Sequence, residues 1–443
     1  MLRTEYPTRP LECWPKMKEL RRTLFREYWE NQDEGNPLML GGYGNLSSLP
    51  SGVDGRGAGL GIYYARVMRD RDLLLKCHQT MDEMGYGPEI CATLRVNLAS
   101  MFMGFQMRSP KGKLYKPDFI IEFHICDSQS KSTQIAWEHY KIPYFVLEIP
   151  LFPPERIETG KDYMVAQMDE CIRWMEKVAG KKYDDEKLVE SVYNEWDGRV
   201  MWSRVAEFQK AIPAPLDQKM FNSFATLMMW GPHQQPVADV LRELCEETRQ
   251  RVDEGIAGVS TERCRLLHEG QPPWFNRAFL RYPNLYGASY LGSAYLWGLW
   301  GAFHADADGT WTVPLTPRER GIKLRSREDA LRSLADLALD HSPIVTSHMV
   351  APQVAATVKM VKDWHVDGVV LHIDRGCKGQ SAANAETRLA LRDEGIPCMV
   401  YESNNADPRE FSEAQVMDRM DSFLESMGLS RLEAYSSGKD EED

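Results

Sequence analysis

The sequence predicts an α/β protein with two doubly wound parallel-sheet domains of similar architecture, together with helical N-terminal and connecting segments. Two observations support this prediction. A unit of strand, helix and second strand occurs once in each half of the chain, which is the spacing of a βαβ unit. The strands of both units are continuous apolar runs without polar alternation. Such runs are typical of a parallel sheet that is covered on both faces.

The two units share their details in the same order. The first contains "KPDFIIEFHICDSQSK" from Lys116, and the second contains "VDGVVLHIDRGCKG" from Val366. In each unit an Asp precedes the apolar run, and the run leads to a cysteine, Cys126 or Cys377. A helical stretch follows, and then a closing strand with the pattern I-P-x-x-V-x-E. We therefore predict that the units are equivalent parts of two domains.

The remaining segments set the predicted domain boundaries. "NPLMLGGYGN" from Asn36 supplies the first strand of the first sheet, and the stretch Tyr282–Phe303 and "SPIVTSHMV" from Ser342 supply strands of the second. Apolar residues at helical spacing after Pro236 predict a helix in between. The predicted division is a helical N-terminal arm (1–36), a first α/β domain (37–210), a helical connector (211–275), a second α/β domain (276–429) and a disordered tail (430–443).

Composition limits the classes of partner. The 443 residues are 43% hydrophobic and carry a formal net charge of -12, which argues against a general nucleic-acid binder. The uncharged stretch Tyr282–Phe303 is interrupted by proline and glycines, so we read it as a buried strand, a glycine loop and a helix start, and expect no membrane partner. No secretory signal is visible at the N-terminus, and we expect a cytoplasmic protein.

Three of the nine cysteines stand where a helix is predicted to begin. Cys126 and Cys377 follow predicted strands, and Cys91 follows the turn "GYGP". The N-terminus of a helix favours a thiolate, and ligands of open α/β sheets bind beyond the carboxyl ends of the strands. Without CxxC spacing, a zinc ribbon or a ferredoxin motif is absent. Core filler, metal ligand and nucleophile all remain open roles for these thiols.

Other candidates keep two readings each. His124 and His372 lie in predicted strands just before Cys126 and Cys377, and each is either a core histidine or a proton donor. The glycine-rich stretch from Gly41 is either a flexible connection or a loop that lines a substrate, and it lacks the GKS/T of a P-loop. Four aromatic residues either pack in the core or line a pocket: Tyr295, Trp297, Trp300 and Phe303.

Several of these segments resemble the benzoyl-CoA reductase and 2-hydroxyacyl-CoA dehydratase family. They are "YGPEICATLRVNLASMF", "KPDFIIEFHICDSQSK", "ELCEETRQRV", "DGVVLHIDRGCKG" and "GIPCMVYESNNADPREFSEAQVMDRMDSFLESMGL", and the resemblance extends over about 37–429. It implies paired α/β domains and a [4Fe–4S] cluster bound by three cysteines. Carried over to this sequence, the ligands are Cys91, Cys126 and Cys377.

The chain departs from the family pattern at two places. In some members of the family a carboxylate upstream of the first cysteine binds the fourth iron, but here the stretch from Gly35 to Arg69 contains only Asp54 as an acidic residue. This departure favours an iron that is open to substrate. In addition, "CATLR" has no aromatic residue directly after Cys91, where the family pattern has one.

The resemblance also implies an activity and partners. It is nearest to an iron–sulfur subunit of an ATP-dependent benzoyl-CoA reductase, which binds an aromatic acyl-CoA and delivers electrons that convert its ring to a cyclohexadiene-carboxyl-CoA. The implied partners are a paralogous iron–sulfur subunit, ATPase activator subunits that carry a further cluster, and ferredoxin as the upstream donor. Two alternatives are an iron–sulfur subunit of a 2-hydroxyacyl-CoA dehydratase, which eliminates water by a radical route, and a metal-stabilised scaffold subunit without catalysis.

Overall fold

The computed structural model describes residues 5–41, 46–58, 64–150, 156–343 and 349–433. Parts of three predicted segments lie outside these ranges. The strand predicted from Ser342 falls mostly on 344–348, the glycine-rich stretch from Gly41 includes 42–45 and 59–61, and most of the predicted tail lies beyond residue 433.

The predicted fold class is confirmed, because ten strands and fifteen α-helices are present in the described residues. The strands are β1 (Leu38–Gly41), β2 (Arg56–Ala58), β3 (Phe119–His124), β4 (Tyr144–Glu148), β5 (Cys264–Glu269), β6 (Ala288–Tyr290), β7 (His304–Ala305), β8 (Trp311–Thr312), β9 (Gly368–Asp374) and β10 (Cys398–Ser403). The helices are α1 (Trp14–Asp33), α2 (Tyr64–Val67), α3 (Arg71–Glu83), α4 (Ala92–Phe102), α5 (Asp127–Tyr140), α6 (Ile157–Ala179), α7 (Asp185–Phe208), α8 (Gln218–Trp230), α9 (Gln235–Glu254), α10 (Ala294–Trp300), α11 (Arg327–Leu339), α12 (Val350–Asp363), α13 (Lys378–Ser381), α14 (Asn384–Asp393) and α15 (Glu413–Ser426).

Two four-stranded sheets form the two domains, and every strand pair in them is parallel. The first sheet has the order β2-β1-β3-β4, and the second has the order β10-β9-β5-β6. Counted within each sheet, both orders read 2-1-3-4, so the sheets have the same topology. The repeat predicted from the sequence is thus a parallel βαβ unit in each domain, with β3 and β4 in one and β9 and β10 in the other. Strands β7 and β8 form a separate antiparallel pair.

The second sheet begins earlier in the chain than the sequence predicts. The sequence predicts a helical connector over residues 211–275, and this segment does contain α8 and α9, but it also contains β5. Strand β5 lies between β9 and β6 in the sheet. Its sequence "CRLLHE" is half polar, which conceals a central strand, yet all six residues are buried. Arg265 is buried because its guanidinium is paired with Glu262 and with backbone carbonyl groups.

The uncharged stretch Tyr282–Phe303 contains the predicted strand, glycine loop and helix. It contains β6, a glycine loop and α10, and the end of a 3₁₀ helix, Arg277–Tyr286, precedes them. Among the described residues, no helix combines the length and the hydropathy that a membrane crossing needs.

Trp297 on α10 lies at the centre of the largest apolar cluster. Its ring contacts Trp202 on α7 at a centroid distance of 5.1 Å and Phe221 on α8 at 4.4 Å. It also approaches Trp364, which follows α12, at 6.3 Å. These contacts pack helices α7, α8, α10 and α12 against one another. The same cluster includes Leu267 of β5, so these helices also pack against the second sheet.

We expect Trp297→Ala to lower the free energy of unfolding by about 3–5 kcal/mol, because it opens a cavity among rings that have almost no exposed surface. The measurement is a urea unfolding curve. The control is Trp137→Ala, whose side chain is 41% exposed, and it should change the free energy by less than about 1 kcal/mol. Equal losses in the two variants would contradict this account of the core.

Candidate functional site

The two sheets present their carboxyl edges to one region between the domains. In a sheet of order 2-1-3-4 the strand order reverses between the first and third strands, here between β1 and β3 and between β5 and β9. Ligands of open α/β sheets bind at such points. Cys126 follows β3, Cys377 follows β9 after a two-residue turn, and Gln271 follows β5. These three side chains therefore stand at the edges where the topology favours a ligand.

Cys91 reaches the same region from a different element. It precedes α4 in the first domain, and its backbone touches the turn before Cys377 in the second. A Cβ atom added to Gly376 would lie 2.8 Å from the Cα atom of Cys91 and 2.9 Å from the carbonyl oxygen of Ile90. Glycine at 376 is thus required by the close approach of the two cysteine-bearing turns.

The segment that follows β10, residues 404–407, fixes this approach. All four residues are fully buried. Asn404 Nδ2 donates to the carbonyl oxygen of Pro88 at 2.9 Å, and Thr93 Oγ1 donates to Asn405 Oδ1 at 2.9 Å. Both contacts join the second domain to the turn and helix on either side of Cys91.

Two further polar contacts join residues 404–407 to the first domain, and we call this segment with its contacts the polar seam. His78 Nε2 on α3 lies 2.7 Å from the carbonyl oxygen of Ala406, and Arg95 Nη1 on α4 donates to Asp407 Oδ2 at 3.4 Å. Because buried polar groups are costly unless they are paired, these contacts define one arrangement of the domains rather than a range of them.

Each of the three cysteines is the residue that precedes the first turn of a helix: α4 after Cys91, α5 after Cys126 and α13 after Cys377. Burial raises the pKa of the Cys91 thiol to about 12, although the N–H groups of Leu94 and Thr93 favour its thiolate. Burial likewise raises the pKa of Cys126 and raises that of Cys377 well above its usual value. The thiols are therefore protonated at neutral pH until a cation binds them.

The thiols are also close enough to influence one another. After burial and the charge on Asp374, a charge on Cys126 raises the pKa of Cys91, and a charge on Cys91 raises that of Cys377. In the described ranges no three His, Cys, Asp or Glu side chains gather tightly enough to bind a single metal ion. A [4Fe–4S] cluster has a different requirement, because each thiolate binds a different iron.

The other six cysteines are free thiols with at most partial exposure. Cys398 is half-buried in the closing strand β10, and the remaining five are buried: Cys13, Cys77, Cys171, Cys245 and Cys264.

The two histidines occupy different environments. His124 is about one third exposed, and its hydrogen bond to Glu148, with Nδ1 2.8 Å from Oε2, raises its pKa. His372 has no exposed surface, stacks on Tyr401 at a centroid distance of 4.5 Å, and has a pKa lowered by burial. The environment of His372 is that of a core residue, whereas His124 can exchange protons with solvent.

Two buried polar atoms near the cysteines are without a hydrogen-bond partner in the described part of the chain. They are Oδ2 of Asp374 and Oδ1 of Asn404. The other carboxylate oxygen of Asp374 accepts from the Gly376 N–H at 3.2 Å. A buried acceptor without a partner in the protein calls for an explanation, and a bound group or an ordered water is one. They, together with three thiols, fit a cation-rich group between the two turns.

Asp54, the one acidic residue of the stretch from Gly35 to Arg69, pairs with basic residues. Its carboxylate forms ion pairs with Lys181 and Lys187, and both lysine side chains are partly exposed. Asp54 is therefore already engaged by two cations.

An apolar cavity adjoins the cysteines. Its wall includes Gln271, whose Nε2 donates to Cys377 Sγ at 3.4 Å, and Thr93, two residues after Cys91. Tyr295 and Trp300 line this cavity, whereas Trp297 and Phe303 are buried in the core. Further wall residues are Met68, Met229, Trp230, Trp274 and Leu299, and the basic residues Arg21 and Lys219 also border it.

Asn222 on α8 supplies an unusual polar group in this wall. Both its Nδ2 and its Oδ1 are buried and lack a partner within the residues that the structure describes. An amide with both ends unsatisfied costs free energy in an apolar surrounding. A ligand with a donor and an acceptor, such as an amide or a hydroxyl beside a carbonyl, would satisfy it.

Glu269, at the end of β5, is a candidate that the sequence analysis missed. Burial raises its pKa to about 7, although the N–H groups of Ala294 and Tyr295 favour its ionised form. A carboxyl group that holds its proton near neutral pH can act as a general acid. The available signal was an acidic residue directly before the turn glycine Gly270.

The structure thus defines a class of α/β protein with two parallel-sheet domains and three cysteines where the domains meet. Comparison with known proteins identifies the family. Residues 74–427 match the sequence model of the family described as 2-hydroxyglutaryl-CoA dehydratase, D-component. Because the match covers most of the chain, the protein belongs to this family, and the family predicted from the sequence is confirmed.

Individual relatives are distant. The chain is 26% identical over 352 residues to the (R)-phenyllactyl-CoA dehydratase alpha subunit of Clostridium sporogenes, covering 78% of this chain and 79% of the relative. It is 26% identical over 316 residues to the alpha subunit of (R)-2-hydroxyglutaryl-CoA dehydratase from Acidaminococcus fermentans, covering 70% and 60%. It is 25% identical over 370 residues to a benzoyl-CoA reductase subunit from Thauera aromatica, covering 79% of both chains.

We expect the buried carboxyl group of Glu269 to make stability fall as pH rises from about 4.5 to about 7. Its folded-state pKa is above its unfolded-state pKa, so ionisation destabilises the folded state, and the full cost applies above the folded pKa. Glu269→Gln removes this cost. Its stability relative to the unaltered protein should rise by up to about 3 kcal/mol between pH 5 and pH 8, measured by urea unfolding. A difference that stays constant over this range would contradict the burial of an ionisable group here.

Proposed function

We propose that this chain is the [4Fe–4S] subunit of an ATP-dependent benzoyl-CoA reductase. In this role it binds an aromatic acyl-CoA and delivers electrons that reduce the ring to a cyclohexadiene-carboxyl-CoA. The observation that carries the proposal is the position of an aromatic-lined cavity directly beside Cys377, with Gln271 contacting both. The relative named as a benzoyl-CoA reductase subunit supports this choice.

In this proposal Cys91, Cys126 and Cys377 hold the cluster, which supplies single electrons when bound. The chain's contribution is to present three thiolates at helix N-termini, where backbone N–H groups offset their negative charge. Their burial keeps water from a strong reductant.

The cavity residues have separate roles in substrate binding. Trp230, Trp274 and Tyr295 provide flat apolar surfaces against which an aromatic ring stacks. Lys219 and Arg21 carry positive charge at the cavity, suited to the phosphate groups of coenzyme A. Asn222, with both ends of its amide unsatisfied among the described residues, suits the thioester and amide groups between ring and phosphates.

Conversion of the ring to a cyclohexadiene takes up two electrons and two protons. We propose that Glu269 supplies one of the two protons, because a carboxyl group with a pKa of about 7 both holds and releases a proton near neutral pH. The second proton comes from solvent. The backbone N–H of Tyr295, a cavity residue, faces its carboxylate.

A second candidate is an iron–sulfur subunit of a 2-hydroxyacyl-CoA dehydratase. Two observations favour it: relatives named dehydratase alpha subunits, one of them for phenyllactyl-CoA, and the amide of Asn222, which can bind a 2-hydroxyl group. The cavity walls suit an aromatic side chain in either reaction.

The proposal includes partner subunits. The relatives are themselves named as subunits, which supports an assembly with a paralogous iron–sulfur subunit. ATPase activator subunits with their own cluster, and ferredoxin as donor, complete the proposed electron path.

The experiment that tests the proposed function is turnover by the complex purified without oxygen. Benzoyl-CoA and (R)-phenyllactyl-CoA are offered separately, with reductant and ATP. A cyclohexadiene product from benzoyl-CoA supports the reductase, whereas a 2,3-unsaturated acyl-CoA from phenyllactyl-CoA supports the dehydratase. A colourless protein that converts neither substrate would indicate a scaffold subunit.

We expect Cys377→Ala to lose most of the iron and visible absorbance, because it removes a proposed ligand that the fold cannot replace. The matched control is Cys398→Ala in the same βαβ unit, which should keep its iron and lose about 1–2 kcal/mol of stability. Iron content and absorbance near 400 nm are measured in anaerobically purified protein. Full iron in the first variant and none in the second would show the ligand assignment to be wrong.

We expect Gly376→Ala to lower the iron content as well, although it removes no ligand. Its new methyl group would overlap the backbone at Cys91, 2.8 Å from the Cα atom, and would push two ligand turns apart. The control is Gly198→Ala on α7, where the nearest atom to an added Cβ lies at an ordinary 3.4 Å. Unchanged iron in Gly376→Ala would mean that the two turns are not held at this distance.

A further inference from the structure

Gln271 occupies the boundary between the cavity and the proposed cluster. It follows β5 at the point where the strand order of the second sheet reverses. Its side chain lines the cavity on one side, and on the other its Nε2 donates to Cys377 Sγ at 3.4 Å.

The orientation of its amide is fixed by two donors. Gln271 Oε1 accepts from Trp274 Nε1 at 3.2 Å and from Asn405 Nδ2 at 2.9 Å. An indole nitrogen can only donate, so the amide oxygen must face Trp274. The amide nitrogen is thereby directed at the sulfur of Cys377. The reverse orientation would oppose two donors and leave the sulfur facing an oxygen.

The network behind Gln271 makes this direction rigid. Asn405 also accepts from Thr93 Oγ1 at 2.9 Å, and Thr93 Oγ1 lies 3.1 Å from the hydroxyl of Tyr64. Asn405 is fully buried. The amide of Gln271 is thus held through Asn405 by residues of the other domain.

We propose that Gln271 is a positioning residue that raises the reduction potential of the cluster on Cys377 through this N–H···S hydrogen bond. The proposal rests on the proposed function, since it requires the cluster. Reduction adds a negative charge to the cluster, and a donor aimed at a ligand sulfur stabilises that charge. Hydrogen bonds to cluster sulfurs are one of the means by which proteins set the potential. The donor that sets the potential then also forms part of the substrate cavity.

The test compares the unaltered complex with Gln271→Leu, which keeps the size of the side chain and removes the donor. Both are purified without oxygen, and iron content and an EPR-monitored redox titration are recorded. We expect unchanged iron and a lower potential, with the equilibrium constant for reduction reduced about threefold to tenfold, where tenfold is 59 mV for one electron.

The matched control is Gln106→Leu. Gln106 is a buried glutamine that bonds Asn97 and Tyr140, so it loses comparable hydrogen bonds away from a sulfur. Its potential should equal that of the unaltered complex. Equal potentials in all three proteins, each with full iron, would overturn the proposal.

Gln271→Met covers the case in which Gln271→Leu loses its iron. This substitution also removes the amide donor but keeps a long, unbranched side chain of similar size, so a lower potential supports the proposal and an unchanged potential overturns it. The unaltered complex distinguishes failure of the proposed function from failure of the role of Gln271. If it contains no cluster, the proposed function fails, whereas a cluster with an insensitive potential refutes only the role of Gln271.

Discussion

The position of the whole site depends on one buried polar seam, the segment 404–407 after β10. Its backbone and side chains contact the carbonyl oxygen of Pro88, the hydroxyl of Thr93 and the guanidinium of Arg95, all close to Cys91 in sequence. None of these four seam residues has exposed surface. Sliding one domain against the other would leave several of these groups unpaired, at about 1–3 kcal/mol for each. The seam therefore holds a cysteine of one domain beside a cysteine of the other.

The thiols themselves show two opposed effects. Helix N-termini favour thiolates, but burial is the larger effect and raises the pKa of all three cysteines. Without a bound cation, burial keeps the three thiols protonated at neutral pH. In the proposed role the thiols would give up their protons on binding the cluster, and the helix N–H groups would stabilise the thiolate charge. The arrangement thus suits a permanently bound cationic group better than a free nucleophile.

The sequence predicted the elements that repeat and failed where a residue acts through a distant contact. The positions of Cys126 and Cys377 after parallel strands follow from the apolar run that precedes each of them in a repeated unit. Strand β5 was missed because Arg265, His268 and Glu269 make it half polar, and only their buried partners explain why it is central to the sheet.

Gln271 could not be identified as part of the site from sequence alone. It is 106 residues from Cys377, and only the folded sheet brings its amide to that sulfur. The same holds for Asn404 and Asn405, which read as loop residues but are fully buried. The class of fold and the positions of the cysteines at the sheet edges could therefore be predicted from sequence patterns, whereas the polar groups around them could not.

The division of the three thiols between two domains has a consequence for biosynthesis. Cys91 and Cys126 belong to the first domain, and Cys377 follows about 250 residues later in the chain. The ribosome adds about 5–20 residues per second, so the third thiol is synthesised about 10–50 seconds after the second. During that interval a nascent chain offers two thiols on an uncovered edge. The full set, and the seam that closes over it, forms only once β9 and β10 have left the ribosome.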